Sequence, residues 1–209
     1  FNLLKSAVDN KVEKFIFASS AAVYGNPVYT PIDEKHPTNP ISPYGAPKLA
    51  IEFLGRSYLN TYGLEFVTMR IFNTYGERQP RYVMYDLLRK LYRDSSKLEV
   101  LGTGMQLRDY SYVLDTAKAF VLAAQKAKGG DIYNIAGGKP ISIREVVDYI
   151  LKVLRLENIK VTYTNKSWKG DINILSADIG KINRELLFKP SVDLVVGIKR
   201  LNKYLFSNF

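Results

Sequence analysis

Lys14-Phe-Ile-Phe-Ala-Ser-Ser20 is the stretch whose reading decides the fold. It is short, apolar through its middle and hardly alternates, which is the pattern of a strand buried on both faces of a parallel sheet. Before it, Leu3, Leu4, Ala7 and Val8 mark one face of a helix over residues 1–10. After it, Pro27, Pro31, Pro37, Pro40 and Pro43 break the chain too often for a helix interior, so the spacing predicts a loop. Leu49, Phe53, Leu54 and Tyr58 then predict an amphipathic helix over 43–62, stopped by Gly63, and residues 64–72 read as a second strand. Strand, helix and strand at these lengths make a right-handed βαβ unit. The economical architecture is a parallel sheet with helices on both faces.

Beyond Asn73 the pattern changes. Helices are expected over 84–92 and 115–125, and strands over 98–101, 109–113 and 132–136, with a Gly-x-Gly turn at 102–104. Ser142-Ile-Arg-Glu145 has the form of a capping box that opens a helix running to about residue 156. Residues 161–164 read as a strand, and Asp178 and Ser191 as the N-caps of two closing helices. The chain therefore divides into the back half of a doubly wound domain and a smaller α+β lobe from about residue 80.

Composition narrows the function. With 46% apolar and 24% charged residues the chain has the makeup of a globular protein with a sizeable core, which excludes disorder. No apolar run is long enough for a membrane-spanning helix, and Lys5 and Asp9 interrupt the first residues, so no targeting segment is expected. Cysteine is absent and His36 is the sole histidine, which removes disulfides, thiol catalysis and His/Cys zinc sites. A cytoplasmic, metal-free protein is the expectation. Thirty Lys and Arg against twenty Asp and Glu give +10, a balance open to nucleic acid, anionic lipid, a phosphorylated small ligand or simple solvation.

Tyr44-Gly-Ala-Pro-Lys48 carries chemistry when read with Ser20. Tyr and Lys at i and i+4 share a helical face, where an ammonium favours the phenolate and lowers a pKa ordinarily about 10. A phenol so tuned exchanges a proton with an alcohol at neutral pH. Ligands of parallel sheets bind beyond the carboxyl ends of the strands, where Ser20 and the loop into this helix must lie. A plain surface pair is the competing reading.

Phe15-Ile-Phe-Ala-Ser-Ser-Ala-Ala-Val-Tyr-Gly25, Ser42-Pro-Tyr-Gly-Ala-Pro-Lys48 and Arg70-Ile-Phe-Asn-Thr-Tyr-Gly76 resemble, in order and spacing, the extended short-chain dehydrogenase/reductase family. Gly102-Thr-Gly-Met-Gln-Leu-Arg-Asp-Tyr110, Tyr133-Asn-Ile-Ala-Gly137 and Lys169-Gly-Asp171 with Ala177-Asp178 agree. Within the family the chain looks most like the NAD-dependent nucleotide-sugar epimerases and dehydratases, above all UDP-glucose 4-epimerase. The resemblance implies an α/β fold: the C-terminal part of a Rossmann-like doubly wound parallel sheet plus a smaller α+β substrate-binding lobe. Residues 1–80 would belong to the NAD-binding part, with 105–136 a candidate to return to it, and 81–209 mainly to the lobe. It further implies that Tyr44 is the catalytic base or acid, that Lys48 binds the nicotinamide ribose and depresses the Tyr44 pKa, and that Ser20 holds the sugar hydroxyl. Ser19 and Phe72 would lie at the cofactor, Phe72 against the nicotinamide. Asn73 and Arg108 would hold the diphosphate, with an amide and a bidentate guanidinium suited to it. Leu98, Glu99 and Val100 would run along the base, and Asp171 would take a ribose. A homodimer is implied, built through the helix of Tyr44 and the opening helix.

Departures from the family pattern sharpen this. Ala21 and Ala22 stand where its dehydratases place an acid, which favours epimerisation. Trp168 replaces a phosphate-binding Arg, for which Lys166 or Lys169 would be point-charge substitutes. Pro47 would cost an interior helix its N–H unless the helix starts near Ala46. The family's opening strand and Gly-x-x-Gly-x-x-Gly turn are not in the sequence, and Gly102-Thr-Gly104 does not replace them, because Leu occupies position 107. The chain reads as starting mid-domain, with roughly a hundred residues of the dinucleotide half preceding Phe1 in a chain of about 310. Alternatives remain: another nucleotide-sugar enzyme of the family, a non-catalytic nucleotide-sugar-binding fragment, or a nucleic-acid binder, the last disfavoured by cations scattered along the chain.

Overall fold

A computed structural model describes residues 1–156, 158–166 and 172–206. Helix α1 (Asn2–Asp9) leads into β1 (Lys14–Ser20), which ends in a 3-10 turn at Ala21–Val23. A long loop reaches α2 (Gly45–Tyr62), closed by Gly63 at φ 72°, a left-handed conformation that glycine takes without Cβ strain. Pro47 is the third residue of this helix, where an N–H would find no helical partner, so the proline fits in the first turn. Strand β2 (Glu65–Ile71) follows and pairs parallel with β1, Ser19 opposite Arg70 and Ser20 opposite Ile71.

The chain continues through β3 (Asn73–Tyr75), α3 (Val83–Arg93), β4 (Lys97–Val100), β5 (Leu107–Tyr112), α4 (Val113–Lys126) and β6 (Ile132–Ile135). Strand β6 returns to the first sheet and pairs parallel with β2, giving the order β1-β2-β6. Side chains alternate across this sheet. Phe15, Phe17 and Phe66 pack with Leu4 and Ala7 of α1 and Tyr58 of α2, whereas Ile16, Val67 and Met69 pack with Ala119 and Ala123 of α4. Helices therefore cover both faces. Burial on both sides holds for β2, whose central residues are all buried, but not for β1. Among the described residues β1 pairs with β2, its Ala18 is exposed and most of its neighbours are half-buried.

The rest comprises β7 (Pro140–Ser142), α5 (Ile143–Leu154), β8 (Lys160–Tyr163), β9 (Ile174–Leu175), α6 (Gly180–Leu186) and α7 (Leu194–Phe206). Strand β5 pairs in parallel with β3 and β9 and antiparallel with β7, and β4 and β8 form a separate parallel pair. Leu87, Leu88 and Leu91 of α3 meet Val146, Val147 and Ile150 of α5 and Ile198 and Leu201 of α7 in a second core. Ser142 and Glu145 form the expected capping box, with Glu145 N–H donating to Ser142 Oγ at 3.1 Å and Ser142 N–H to Glu145 Oε2 at 2.8 Å. The other two expected caps are corrected. Helix α6 is capped at Ile179, and Asp178, one residue earlier, accepts from Gly180 N–H at 2.6 Å. Ser191 caps nothing; its hydroxyl donates to Asp115 Oδ1 at 2.6 Å, while Asp193 accepts from Val195 N–H at the start of α7. The reason is the demand of a buried carboxylate: Asp115 also takes the backbone N–H groups of Ser191 and Val192, both at 3.0 Å. Among the described residues no helix is long and apolar enough to cross a membrane.

Candidate active site

Because β1 and β2 are parallel neighbours, Ser20 and the Phe72-Asn73 pair emerge at the same edge of the sheet. Ser20 ends β1 and its Oγ accepts from Ala22 N–H at 3.2 Å, which folds the chain into the 3-10 turn. The first turn of α2 packs directly on that turn. A Cβ at Gly45 would collide with the Ala22 carbonyl oxygen and lie 3.0 Å from Pro40 Cβ, so glycine is what allows Tyr44 to approach the end of β1. Tyr44 is the N-cap residue and 57% exposed, its ring open to a ligand. Lys48, one turn on, donates to the Ala18 carbonyl at 2.7 Å, with its ammonium 5.1 Å from the Phe17 ring and 5.7 Å from that of Tyr44. Ser20, Tyr44 and Lys48 are thus gathered at one sheet edge.

Beneath them lies a buried polar network. Ser19 Oγ donates to the Glu52 carboxylate, and Arg70 grips the same carboxylate through Nε at 3.2 Å and Nη2 at 2.7 Å. Arg70 Nη1 donates to Tyr24 Oη at 3.0 Å, Tyr24 donates to Asn134 Oδ1 at 2.7 Å, and Asn134 Nδ2 donates to the Ile32 carbonyl at 2.9 Å. Burial opposes the Arg70 charge, but hydrogen bonds to Glu52 and Tyr24 and the Glu52 charge more than offset it and raise the pKa. Burial pushes the Tyr24 phenol up to about 12 against the pull of Arg70, so Tyr24 stays a neutral donor. Sequence reasoning singled out neither Glu52 nor Tyr24. The signal was present: Arg70 interrupts an apolar strand, and a charge there needs a buried partner.

The remaining expected site residues fall into different surroundings. Phe72 is 7% exposed and packs with Val23, Tyr24 and Ala136, a core position directly behind the Ser20 turn. Asn73 opens β3, and its Nδ2 is buried without a hydrogen-bond partner among the described residues, a donor left for a ligand oxygen. Arg108, on β5, donates from Nη1 to the Leu107 carbonyl at 2.8 Å. Next to it, Asp109 is fully buried, accepts from Gly138 N–H at 2.9 Å and has its pKa pushed up to about 6 by burial, opposed by loop N–H groups from Ala177 and 137–139. Leu98, Glu99 and Val100 lie apart, in the β4–β8 pair. Leu98 and Val100 point into the second core, the Glu99 carbonyl accepts from Lys90 Nζ at 2.7 Å and that of Val100 from Thr164 N–H at 3.0 Å. Asp171, Trp168 and Lys169 lie outside the described residues. Among those described, no cluster of three or more His, Asp or Glu is arranged to hold a metal.

The sequence profile of the GDP-mannose 4,6 dehydratase family matches residues 1–201. The chain belongs to the extended short-chain dehydrogenase/reductase family. Within it, a UDP-glucuronate 4-epimerase of Thermodesulfobacterium geofontis is 32% identical over 95% of this chain and 61% of its own length. A UDP-glucose 4-epimerase of Thermotoga maritima, solved with UDP-glucose, superposes with a TM-score of 0.91 at 29% identity, over 99% of this chain and 67% of that one. A dTDP-glucose 4,6-dehydratase of Streptomyces venezuelae, solved with NAD bound, gives 0.88 at 30% identity, over 99% and 64%. The chain thus spans about two thirds of the length of its family relatives. Its mixed α/β architecture, with the parallel sheet that carries Ser20, matches the C-terminal portion of these enzymes.

Proposed function

We propose that these 209 residues are the tyrosine-bearing part of an NAD-dependent nucleotide-sugar 4-epimerase that interconverts UDP-glucose and UDP-galactose. The observation that carries the reading is the juxtaposition of the β1 terminus with the first turn of α2, Tyr44 half out in solvent and Lys48 beside its ring. The residues fit the nicotinamide-ribose end of the cofactor: Lys48 has one carbonyl partner, Ala18, and further N–H donors for ribose hydroxyls. No Gly-rich turn for the cofactor's pyrophosphate stands in the sequence, so that part is not assigned to these residues. Residues 1–80 are assigned to the cofactor-binding part, with 105–136 returning to it, and 81–209 mainly to the substrate lobe.

When bound, NAD supplies the hydride acceptor and donor for C4 of the sugar. Tyr44, as phenolate, takes the proton of the C4 hydroxyl, while Ser20 hydrogen-bonds the same oxygen and fixes its distance. Lys48 stands beside the Tyr44 ring, its ammonium 5.7 Å from the centroid. Once the keto-sugar has turned its other face, the Tyr44 phenol returns the proton. Asn73 Nδ2 and Arg108 hold the diphosphate, and Asp171 the ribose. Ala21 and Ala22 offer no acid to protonate a leaving hydroxyl, which supports epimerisation over the elimination carried out by the related dehydratases. The partner is a second copy, joined through the apolar residues that α1 and α2 expose, and the cysteine-free composition fits a cytoplasmic location.

Tyr44→Phe in the full-length enzyme tests the assignment. Interconversion of UDP-glucose and UDP-galactose falls at least about a hundred-fold, as expected for a lost general base, while UDP binding by calorimetry is retained. Turnover at the wild-type rate overturns it.

A further inference from the structure

We propose that Glu52 is a positioning residue for the site: its carboxylate, clamped between Ser19 and Arg70, fixes how far α2 lies along β1 and how it is rotated, and so where Tyr44 and Lys48 stand relative to Ser20. The inference rests on the function proposed above. Tyr44, Lys48 and Glu52 are spaced i, i+4 and i+8, one face of α2 over about 12 Å. The near end of that face is set by the Gly45 contact with Ala22. The far end is set by Glu52, which receives Ser19 from β1 and both Nε and Nη2 of Arg70 from β2. Ser19 and Arg70 are register partners across the two strands, so one carboxylate spans the seam between them.

A charged clamp does something that apolar contact cannot. Phe15 and Phe66 also hold α2 to the sheet, but dispersion contacts are non-directional and tolerate small slides. A bidentate guanidinium–carboxylate pair fixes distance and plane together. Such a buried pair is weak evidence for stability, because desolvation cancels much of its attraction and apolar replacements are often as stable. Its placement one turn behind Lys48, with Ser19 as the residue preceding Ser20, points to geometry as its role.

The test uses the full-length enzyme and three variants: Glu52→Gln, Arg70→Lys and the apolar double replacement Glu52→Met with Arg70→Leu. The wild-type arm reads the function itself. A wild-type protein inert toward UDP-hexoses overturns the proposed reaction and the positioning role with it. With an active wild type, each variant is expected to lose about a hundred-fold in kcat, the scale of a displacement near 1 Å, with KM for UDP-glucose within about two-fold. The double replacement recovers the wild-type melting temperature without recovering kcat. Recovery of kcat together with melting temperature makes the pair merely structural and overturns the proposal, as does a rise in KM at unchanged kcat. If Glu52→Gln does not fold, Arg70→Lys, which keeps the charge and loses the planar fork, carries the same expectation.

Discussion

Asp109 illustrates how single residues in this fold trade stability for order. Its folded pKa of about 6 stands above the ordinary 3.8, chiefly through burial. Between those values the native state binds more protons than the unfolded chain, so stability falls as pH rises through the window and the full penalty is present above about 6. Asp109→Asn removes the titration. Urea unfolding at about pH 4.5 and about pH 7 should therefore show the variant gaining on the wild type by roughly 2 kcal/mol at the higher pH. An equal difference at both values refutes the assignment. Arg70 was visible in the sequence as a charge inside an apolar run, but the partners of Arg70 and Asp109 were not: Gly138 is 29 residues away from Asp109 and Glu52 is 18 from Arg70. Sequence patterns report on neighbours along a helix or strand, and these pairs form only after the loops have closed.

At the scale of elements, the local signals with a fixed chemical meaning were the legible ones. The capping box at Ser142 was readable because both of its hydrogen bonds lie within four residues. Ser142→Ala should destabilise the protein by about 1 kcal/mol, measured by chemical denaturation, with UDP binding unchanged. A loss of binding instead would tie α5 to the site. The Ser191 cap was not legible, since a long-range partner, Asp115, claimed the hydroxyl that local spacing assigned to a helix end. Similarly, β6 reads as a short strand from its composition, but its pairing beside β2 was set by the fold. Position within a sheet is set by which strands are available to pair, which no single strand encodes.

For the molecule as a whole, the exposed apolar face on α1 and α2 is the feature with the largest consequence for assembly. Leu3 on α1 is 74% exposed and Phe53 on α2 62%, and both helices cover the same side of the first sheet. Covering such a face with a second copy removes apolar area from water at about 25 cal/mol per Å². The second copy proposed above is tested by Phe53→Glu in the full-length protein: sedimentation velocity at micromolar concentration is expected to give a dimer for the wild type and a monomer for the variant, with secondary structure unchanged. A wild type that sediments as a monomer, or a variant that stays dimeric, refutes that interface.

The parallel βαβ unit, the capping box at Ser142 and the family were determined by the sequence alone. Each depends on periodicity, capping or short ordered motifs, which are local and survive without knowledge of packing. Only the tertiary structure decided that β6 pairs directly with β2. It also set Leu98–Val100 apart in a second small sheet and put a charged clamp between Ser19, Glu52 and Arg70 under the site. Those features depend on contacts between residues far apart in the chain, whose choice of partner is made by the competition of buried polar groups for hydrogen bonds and of apolar faces for cover.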